Sequence, residues 1–249
     1  MVWYLPIFFD SRFFHQPDRA ESVRSVDRKR GEDVKLFRDR VQAGRVLANE
    51  LMRYAGLSDL IVLALPRGGV PVAFEVARDL KAPLDVFLVR KLGVPGEEEL
   101  AMGAIASGGV RILNDEVLQL YRIPESMIDS VAQREQRELE RRERDYRGSR
   151  PMPDIRDKTV ILVDDGLATG TTMRAAIAAL GSYKPAAVIV AVPIGPPDTC
   201  RELQSEADFA ICATTPEPFR AIGAWYEDFT QTTDEEVRDL LGKAAKMIA

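Results

Sequence analysis

Several stretches of this 249-residue chain run apolar with almost no polar interruption: "LIVLAL" from Leu60, "TVILV" from Thr159, "AAVIVAV" from Ala186 and "DFAICATT" from Asp208. A strand with one face in water alternates polar and apolar residues, and these do not. They therefore belong to a sheet covered on both faces, which for strands separated by helices means a parallel one. The intervening segments supply those helices. "VKLFRDRVQAGRVLANELMRYAG" (34–56) carries Leu36, Phe37, Val41, Leu47, Leu51 and Tyr54 at roughly helical spacing and stops at Gly56. Further helices are expected over "VAFEVARDL", "TMRAAIAALGSYKP", a short piece at 198–206, and Asp234 to Met247 with Thr233 as its cap. "LDVFLVRKLG" reads as the second strand and "VRILN" (Val110 to Asn114) as a third.

Residues 125–147, "ESMIDSVAQREQRELERRERDYR", have many opposite charges three or four apart and predict a long exposed helix. Its acids nearly balance its arginines, so a solvated structural helix is favoured over a nucleic-acid-binding one. The net charge of -5 also argues against nucleic acid or an anionic membrane as partner, so an anionic ligand must be held by local groups. Cys200 and Cys212 have neither the companions of a metal site nor the number of a disulfide framework, and free buried thiols are expected. The lone His15 lies in the unusual segment "MVWYLPIFFDSRFFHQPDR", which makes histidine catalysis improbable. Pro6, Asp10 and Arg12 break its apolar run, so it reads as neither leader nor membrane span. A cytoplasmic protein is expected, with residues 1–33 an extension outside the fold.

"VILVDDGLATGTTM" (160–173) carries the chemistry. Ligands of open parallel sheets sit beyond the carboxyl ends of the strands, where Asp164 and Asp165 stand. Adjacent carboxylates repel, and a solvent-facing pair is rewarded by a metal ion or a polyhydroxylated ligand. The following "LATGTT" offers small side chains, exposed amides, hydroxyls and a helix start, which together make a phosphate cradle. Acids for hydroxyls or magnesium, followed by a cradle, suit a sugar phosphate. A P-loop lacks its lysine and spacing here, and no G-x-G-x-x-G follows a strand. A response-regulator receiver would place its acid pair on the first strand.

The stretch resembles the 5-phosphoribosyl-1-pyrophosphate motif of type I phosphoribosyltransferases, and "LPRGGVP" (65–71) resembles that family's pyrophosphate loop. The resemblance extends over roughly 36–230 and is closest to a bacterial subgroup with the companion motif "RKLGVPGEEELAMGAIASGG". It implies a type I α/β fold: a central parallel sheet flanked by helices, a small hood and an inserted charged helix. The phosphoribosyltransferase domain would span 34–233 with an insertion at about 93–153, and a C-terminal helix would occupy 234–249. By position, Asp164 and Asp165 would meet the ribose hydroxyls, directly or through water on Mg²⁺. Ala168, Thr169, Gly170, Thr171 and Thr172 would hold the 5′-phosphate. Arg67, Gly68 and Gly69 would bind pyrophosphate, in a loop where a non-proline cis peptide is usual. Arg90 and Lys91 at the next strand end would neutralise the same group. Asp164, Asp165, Arg67 and Lys91 are thus the catalytic candidates.

The same resemblance bears on the acceptor. Enzymes for 6-oxopurines usually carry an aspartate where this chain has Ala168, and adenine enzymes commonly begin the acid pair with glutamate where it has Asp164. Neither pattern fits, and a 6-oxopurine is the doubtful substrate. "PEPFRAIGAWYEDF" would contribute the hood, with Phe219, Trp225 and Tyr226 as base-stacking candidates, and 93–108 would be the mobile loop closing over the site. The expected function is magnesium-dependent transfer of phosphoribose to a nitrogenous acceptor by a homodimer. A non-catalytic sensor of the same donor is the alternative.

Overall fold

The computed structural model describes residues 36–248. The expected extension 1–33, with His15, lies outside them. In chain order, α1 (Arg40–Leu51), β1 (Leu60–Ala64), α2 (Gly69–Leu80) and β2 (Leu84–Val86) open the fold. β3 (Val89–Val94), β4 (Glu97–Ala106), β5 (Val110–Leu113), α3 (Asp115–Tyr121) and α4 (Glu125–Arg147) follow. β6 (Thr159–Val163), α5 (Thr171–Gly181), β7 (Ala187–Ile194), α6 (Pro197–Glu206), β8 (Phe209–Thr214) and α7 (Asp234–Ile248) complete it.

The uninterrupted apolar strands form one five-stranded sheet, ordered β2-β1-β6-β7-β8, with every pairing parallel. Successive side chains leave a strand on opposite faces, and the core divides accordingly. Leu60, Val62, Ala64, Ile161 and Val163 face α1, α2, α4 and α7; Ile61, Leu63, Val160 and Leu162 face α5 and α6. α1 begins where the Asp39 carboxylate accepts the Gln42 N–H at 2.7 Å, and Thr233 caps α7 through the Glu236 N–H at 3.1 Å, as its sequence predicts. α7 buries Val237, Leu241 and Ala244 against α2 and α4, so it belongs to the main core. Among the described residues no helix is long and apolar enough to cross a membrane.

Four expectations need correction. "LDVFLVRKLG" is two strands: β2 pairs with β1, and at Phe87–Leu88 the chain leaves that sheet for an antiparallel one, β3-β4-β5. Backbone and side chain hold the switch together, since Phe87 N–H donates to the Ala64 carbonyl and Leu88 N–H to the Ser107 hydroxyl. The segment 93–108 is therefore mostly β4, a ten-residue strand, and not a loop, while "VRILN" contributes β5 to this second sheet. The charged helix α4 has the expected ion pairs, Arg141 and Arg142 to Glu138 among them, but its other face is core. Ile128, Val131, Ala132, Leu139 and Tyr146 are buried. Lastly, Cys200 and Cys212 are joined in a disulfide. Packing of α6 on β8 brings their Cα atoms to 6.4 Å, a proximity that a twelve-residue spacing alone does not reveal.

Leu139 lies within the densest run of charged residues in the chain yet is fully buried. Leu139→Ala should cost about 2–5 kcal/mol in denaturant unfolding, the range for a core truncation. An exposed helix position would change by only a few tenths.

Candidate active site

β1 and β6 are register neighbours, Ala64 opposite Val163, so their carboxyl ends deliver two sequence-distant loops to one spot. Leu65 N–H donates to the Val163 carbonyl at 2.9 Å, carrying the pairing one residue past the strand. The Pro66–Arg67 peptide that follows is cis, as the resemblance implies. Gly68 and Gly69 then pass directly against Asp164 and Asp165. A Cβ on Gly68 would lie 2.0 Å from Asp165 Oδ2, and one on Gly69 would lie 2.9 Å from the Asp164 Cα. Only glycine fits at either place. Among the described residues the Arg67 and Gly68 amides have no hydrogen-bond partner, whereas Gly69 N–H is used by the Leu65 carbonyl.

The two acids differ in surroundings. Asp165 is buried, with Oδ2 held at 2.7 Å by Arg40 Nε in an ion pair whose side chains are each 12% exposed. Arg40 in turn stacks its guanidinium 4.0 Å over the Phe229 ring and donates to the Thr230 carbonyl at 2.7 Å. Tyr226 closes the same corner, its hydroxyl donating to the Asp165 backbone carbonyl at 2.7 Å. The expectation that both acids face solvent therefore fails for Asp165. Asp164 is half-buried, with Oδ1 taken by the Asp165 N–H at 2.8 Å. Burial, reinforced by the neighbouring Asp165 charge, holds the Asp164 carboxyl well above the usual carboxylate range. Burial also raises Asp165, against the pull of Arg40.

Beyond the acids, the chain forms an open cradle. The amides of Ala168 through Met173 have no partner among the described residues, and Gly170, at φ 73°, turns the loop into α5. Thr169 and Thr171 hydroxyls lie 3.1 Å apart. Consecutive unpaired amides at the start of an eleven-residue helix form an anion site by geometry and by dipole.

The expected cations separate. Arg67 turns toward the start of α7, 3.9 Å from Asp234, which also accepts the Tyr146 hydroxyl at 2.5 Å. Arg90 is a correction: its guanidinium is paired with Glu135 of α4 at 2.5 Å, on the opposite face of β3 from its neighbour. Lys91 shares its face with Val89, Ala106, Val110 and Ile112, the residues through which the small sheet packs toward α5. Alternation along the strand sends these adjacent side chains to opposite faces of the small sheet. Two of the three aromatic candidates are also corrected, Trp225 and Tyr226. Tyr226 is 1% exposed, flanked by Phe37 and Phe229 rings with centroids at 5.4 and 4.9 Å, and Trp225 is buried in the same cluster. Phe219, stacked on Trp225 at 6.4 Å, keeps a partly exposed ring.

Magnesium fits only in a limited sense. Among the described residues no group of three or more acidic, His or Cys side chains converges on one point. One oxygen of each carboxylate is committed, leaving too few for a protein-only cage. The donor set suits an ion that keeps its waters and takes further oxygens from a phosphorylated ligand.

Residues 33–219 match the phosphoribosyl transferase domain. The chain belongs to the phosphoribosyl transferase family. Two Mycobacterium tuberculosis proteins, from strains CDC 1551 and H37Rv, are each 45% identical over 216 residues. Their names class them as phosphoribosyl transferases without stating a substrate. That match covers 87% of this chain and 48% of theirs, so the chain spans about half the length of the curated relatives it matches. The crystal structure of TT1426 from Thermus thermophilus is 42% identical with a TM-score of 0.75, covering 83% of this chain and 98% of that one. The phosphoribosyl transferase fold seen here is thus the type I arrangement of a parallel sheet flanked by helices.

Four residues that shape this corner and cradle of the phosphoribosyl transferase fold have no motif to announce them. Arg40 and Tyr226 lie 125 and 61 residues from Asp165, and their proximity is purely tertiary. Thr199 reaches the cradle from α6. Arg174 alone has a local signal, four residues beyond Gly170 on a helix face that returns to the loop.

Arg40→Met should destabilise the protein by up to about 3 kcal/mol at neutral pH, because it strands a buried carboxylate. Part of the loss should be recovered on acidification as Asp165 takes up a proton. Asp164→Asn tests the raised carboxyl. With its folded pKa above the unfolded value of 3.8, Asp164 binds more protons native than unfolded, so its contribution falls as pH rises through the folded value and is fully present below 3.8. Relative to wild type, Asp164→Asn should therefore gain stability at neutral pH and lose that advantage as pH approaches 3.8, read from paired denaturant melts.

Proposed function

We propose that the protein transfers phosphoribose from 5-phosphoribosyl-1-pyrophosphate to a small nitrogenous acceptor and releases pyrophosphate. One observation carries this reading: the glycines of the pyrophosphate-type loop lie in direct contact with the acid pair that opens the phosphate cradle. An amide cradle for a phosphate, acids for ribose hydroxyls and a second loop for a leaving group are thereby adjacent.

In this reading the amides of Ala168 to Thr172 hold the 5′-phosphate, and Asp164 accepts hydrogen bonds from ribose hydroxyls. Asp165, tethered by Arg40, fixes the Asp164 peptide and Gly68. As the bond from ribose C1 to the pyrophosphate oxygen breaks, its electron pair leaves with pyrophosphate and positive charge develops on the sugar ring. The acceptor nitrogen then donates its lone pair to C1 and gives up its proton. Arg67 and the Arg67 and Gly68 amides stabilise the leaving oxygens, with Lys91 as a further cation from the small sheet. Bound magnesium, held at Asp164 through water, would neutralise charge on the pyrophosphate. Positioning and electrostatics suffice for this chemistry, and no covalent nucleophile is needed.

What the cradle lacks narrows the acceptor. Ala168 offers no side chain to share the proton of a 6-oxopurine, and a positioned acid–base group is worth about 10²- to 10⁴-fold. Hypoxanthine and guanine should react slowly or not at all. The test begins with a thermal scan in magnesium and millimolar donor, where a ligand at about a hundred times its dissociation constant adds roughly 2.7 kcal/mol. Absence of any shift would sink the proposal. Chromatography of reactions with purines, pyrimidines, pyridine carboxylates and ammonia then identifies the acceptor. Brisk guanine turnover would overturn the argument from Ala168, and tight donor binding without turnover would favour a sensor.

A further inference from the structure

The cradle is braced from behind by two side chains outside every recognised motif. Arg174, one turn into α5, donates from Nη1 to the Thr169 carbonyl at 2.6 Å. Thr199, on the first turn of α6, donates from its hydroxyl to the Ala168 carbonyl at 3.3 Å. A trans peptide is planar and sends its C=O and its N–H in opposite directions. Both peptides are trans, since the only cis bonds among the described residues are Pro66–Arg67 and Glu217–Pro218. Drawing the Ala168 and Thr169 carbonyls toward α6 and α5 therefore turns the Thr169 and Gly170 N–H groups the other way, into the open cradle.

The orientation needs a brace because of Gly170. At φ 73°, and without a Cβ, this residue tolerates either rotamer of the preceding peptide. A flip of the Thr169–Gly170 peptide would replace a donor by a carbonyl oxygen facing a phosphate dianion. The crowding agrees with a tight clamp: a Cβ on Gly170 would lie 3.0 Å from Thr199 Cγ2 and 3.1 Å from Arg174 Nη1. Arg174 does not act as a free positive charge. Its Nη2 is paired with Glu202 at 2.6 Å and its Nε with Glu206 at 2.7 Å, both on α6. The two acids more than offset its charge and fix the guanidinium plane, so that Nη1 meets the loop at a set angle.

We infer that Arg174 and Thr199 are positioning residues which lock the Ala168–Thr169 and Thr169–Gly170 peptides with their amides presented to the 5′-phosphate. The inference rests on the phosphoribosyl reading of the site. It separates two halves of donor recognition: the brace serves the 5′-phosphate, and the Arg67 loop, on another element, serves the pyrophosphate.

The experiment is calorimetry on the full chain with two probes, ribose 5-phosphate and magnesium pyrophosphate, beside a thermal melt of each variant. Arg174→Ala should weaken ribose 5-phosphate by roughly 5- to 10-fold, the scale of one lost hydrogen bond, and leave pyrophosphate affinity unchanged. Arg174→Lys, which keeps a donor for the Thr169 carbonyl, should restore part of the loss. Thr199→Val should show the same selectivity with a smaller effect, and it decides the question if Arg174→Ala does not fold. Equal weakening of both probes, or a lowered melting temperature with ribose 5-phosphate affinity intact, would reduce the pair to a structural role and overturn the inference. Wild-type protein that binds neither probe would instead remove the phosphoribosyl reading, and the brace with it.

Discussion

Two carboxylates and two glycines occupy a space that admits no further atom. Gly68 and Gly69 lie so close to Asp165 and Asp164 that a single methyl group on either would collide with side chain or backbone. The contact exists because β1 and β6 are adjacent, parallel and in register, so that both strands end at the same level. Everything else about the site is arranged around it. α2 must begin at Gly69, because the chain has just cleared the acids. Asp165 has a cation beside it, because burial leaves its carboxylate little water. Arg40 supplies that cation from α1, and α1 can lie close enough because Gly44 lets its backbone approach Val72 of α2.

Charge burial at this corner is organised asymmetrically. Asp165 has an arginine, a tyrosine contact to its peptide and almost no exposure, whereas Asp164 keeps an uncommitted oxygen and no cation of its own. Adjacent like charges in a dry place are unfavourable, and the chain meets that cost with one counter-ion for two acids. The half left unneutralised is the half that faces outward. Such an arrangement lowers stability at the acid pair and leaves one acceptor oxygen of Asp164 open.

The large parallel sheet is legible because "LIVLAL" and "TVILV" cannot be read as half-solvated strands, and the acid pair and cradle because each residue type has a chemical reason to stand there. The small sheet is not. "LDVFLVRKLG" looks like one strand, and nothing in an apolar run marks the point at Phe87–Leu88 where it changes sheets. Glycines and the Glu97-Glu98 pair make β4 look like a loop, yet Gly93 is required where β3 passes the Glu98 backbone. Arg90 and Lys91 read as a pair because they are adjacent in sequence, which in a strand is what separates them. Trp225 and Tyr226 look like a stacking surface, and their rings instead fill the cluster that anchors Arg40. Long-range pairs such as Arg40–Asp165 and Cys200–Cys212 leave no local trace, since only the finished fold makes them neighbours.

The corner around Asp165 is built from both ends of the domain: Arg40 comes from its first helix, while Tyr226, Phe229 and Thr230 come from the segment after the last strand. During synthesis the chain emerges from its amino end. β1, β6 and the helices between them can therefore assemble well before residues 226–230 leave the ribosome. Until then the acid pair has its arginine but not the ring and carbonyl that hold the arginine in place. Completion of the site is thus tied to the arrival of a short late segment, and a nascent chain can bring β1 and β6 together before it possesses the corner that steadies Arg40.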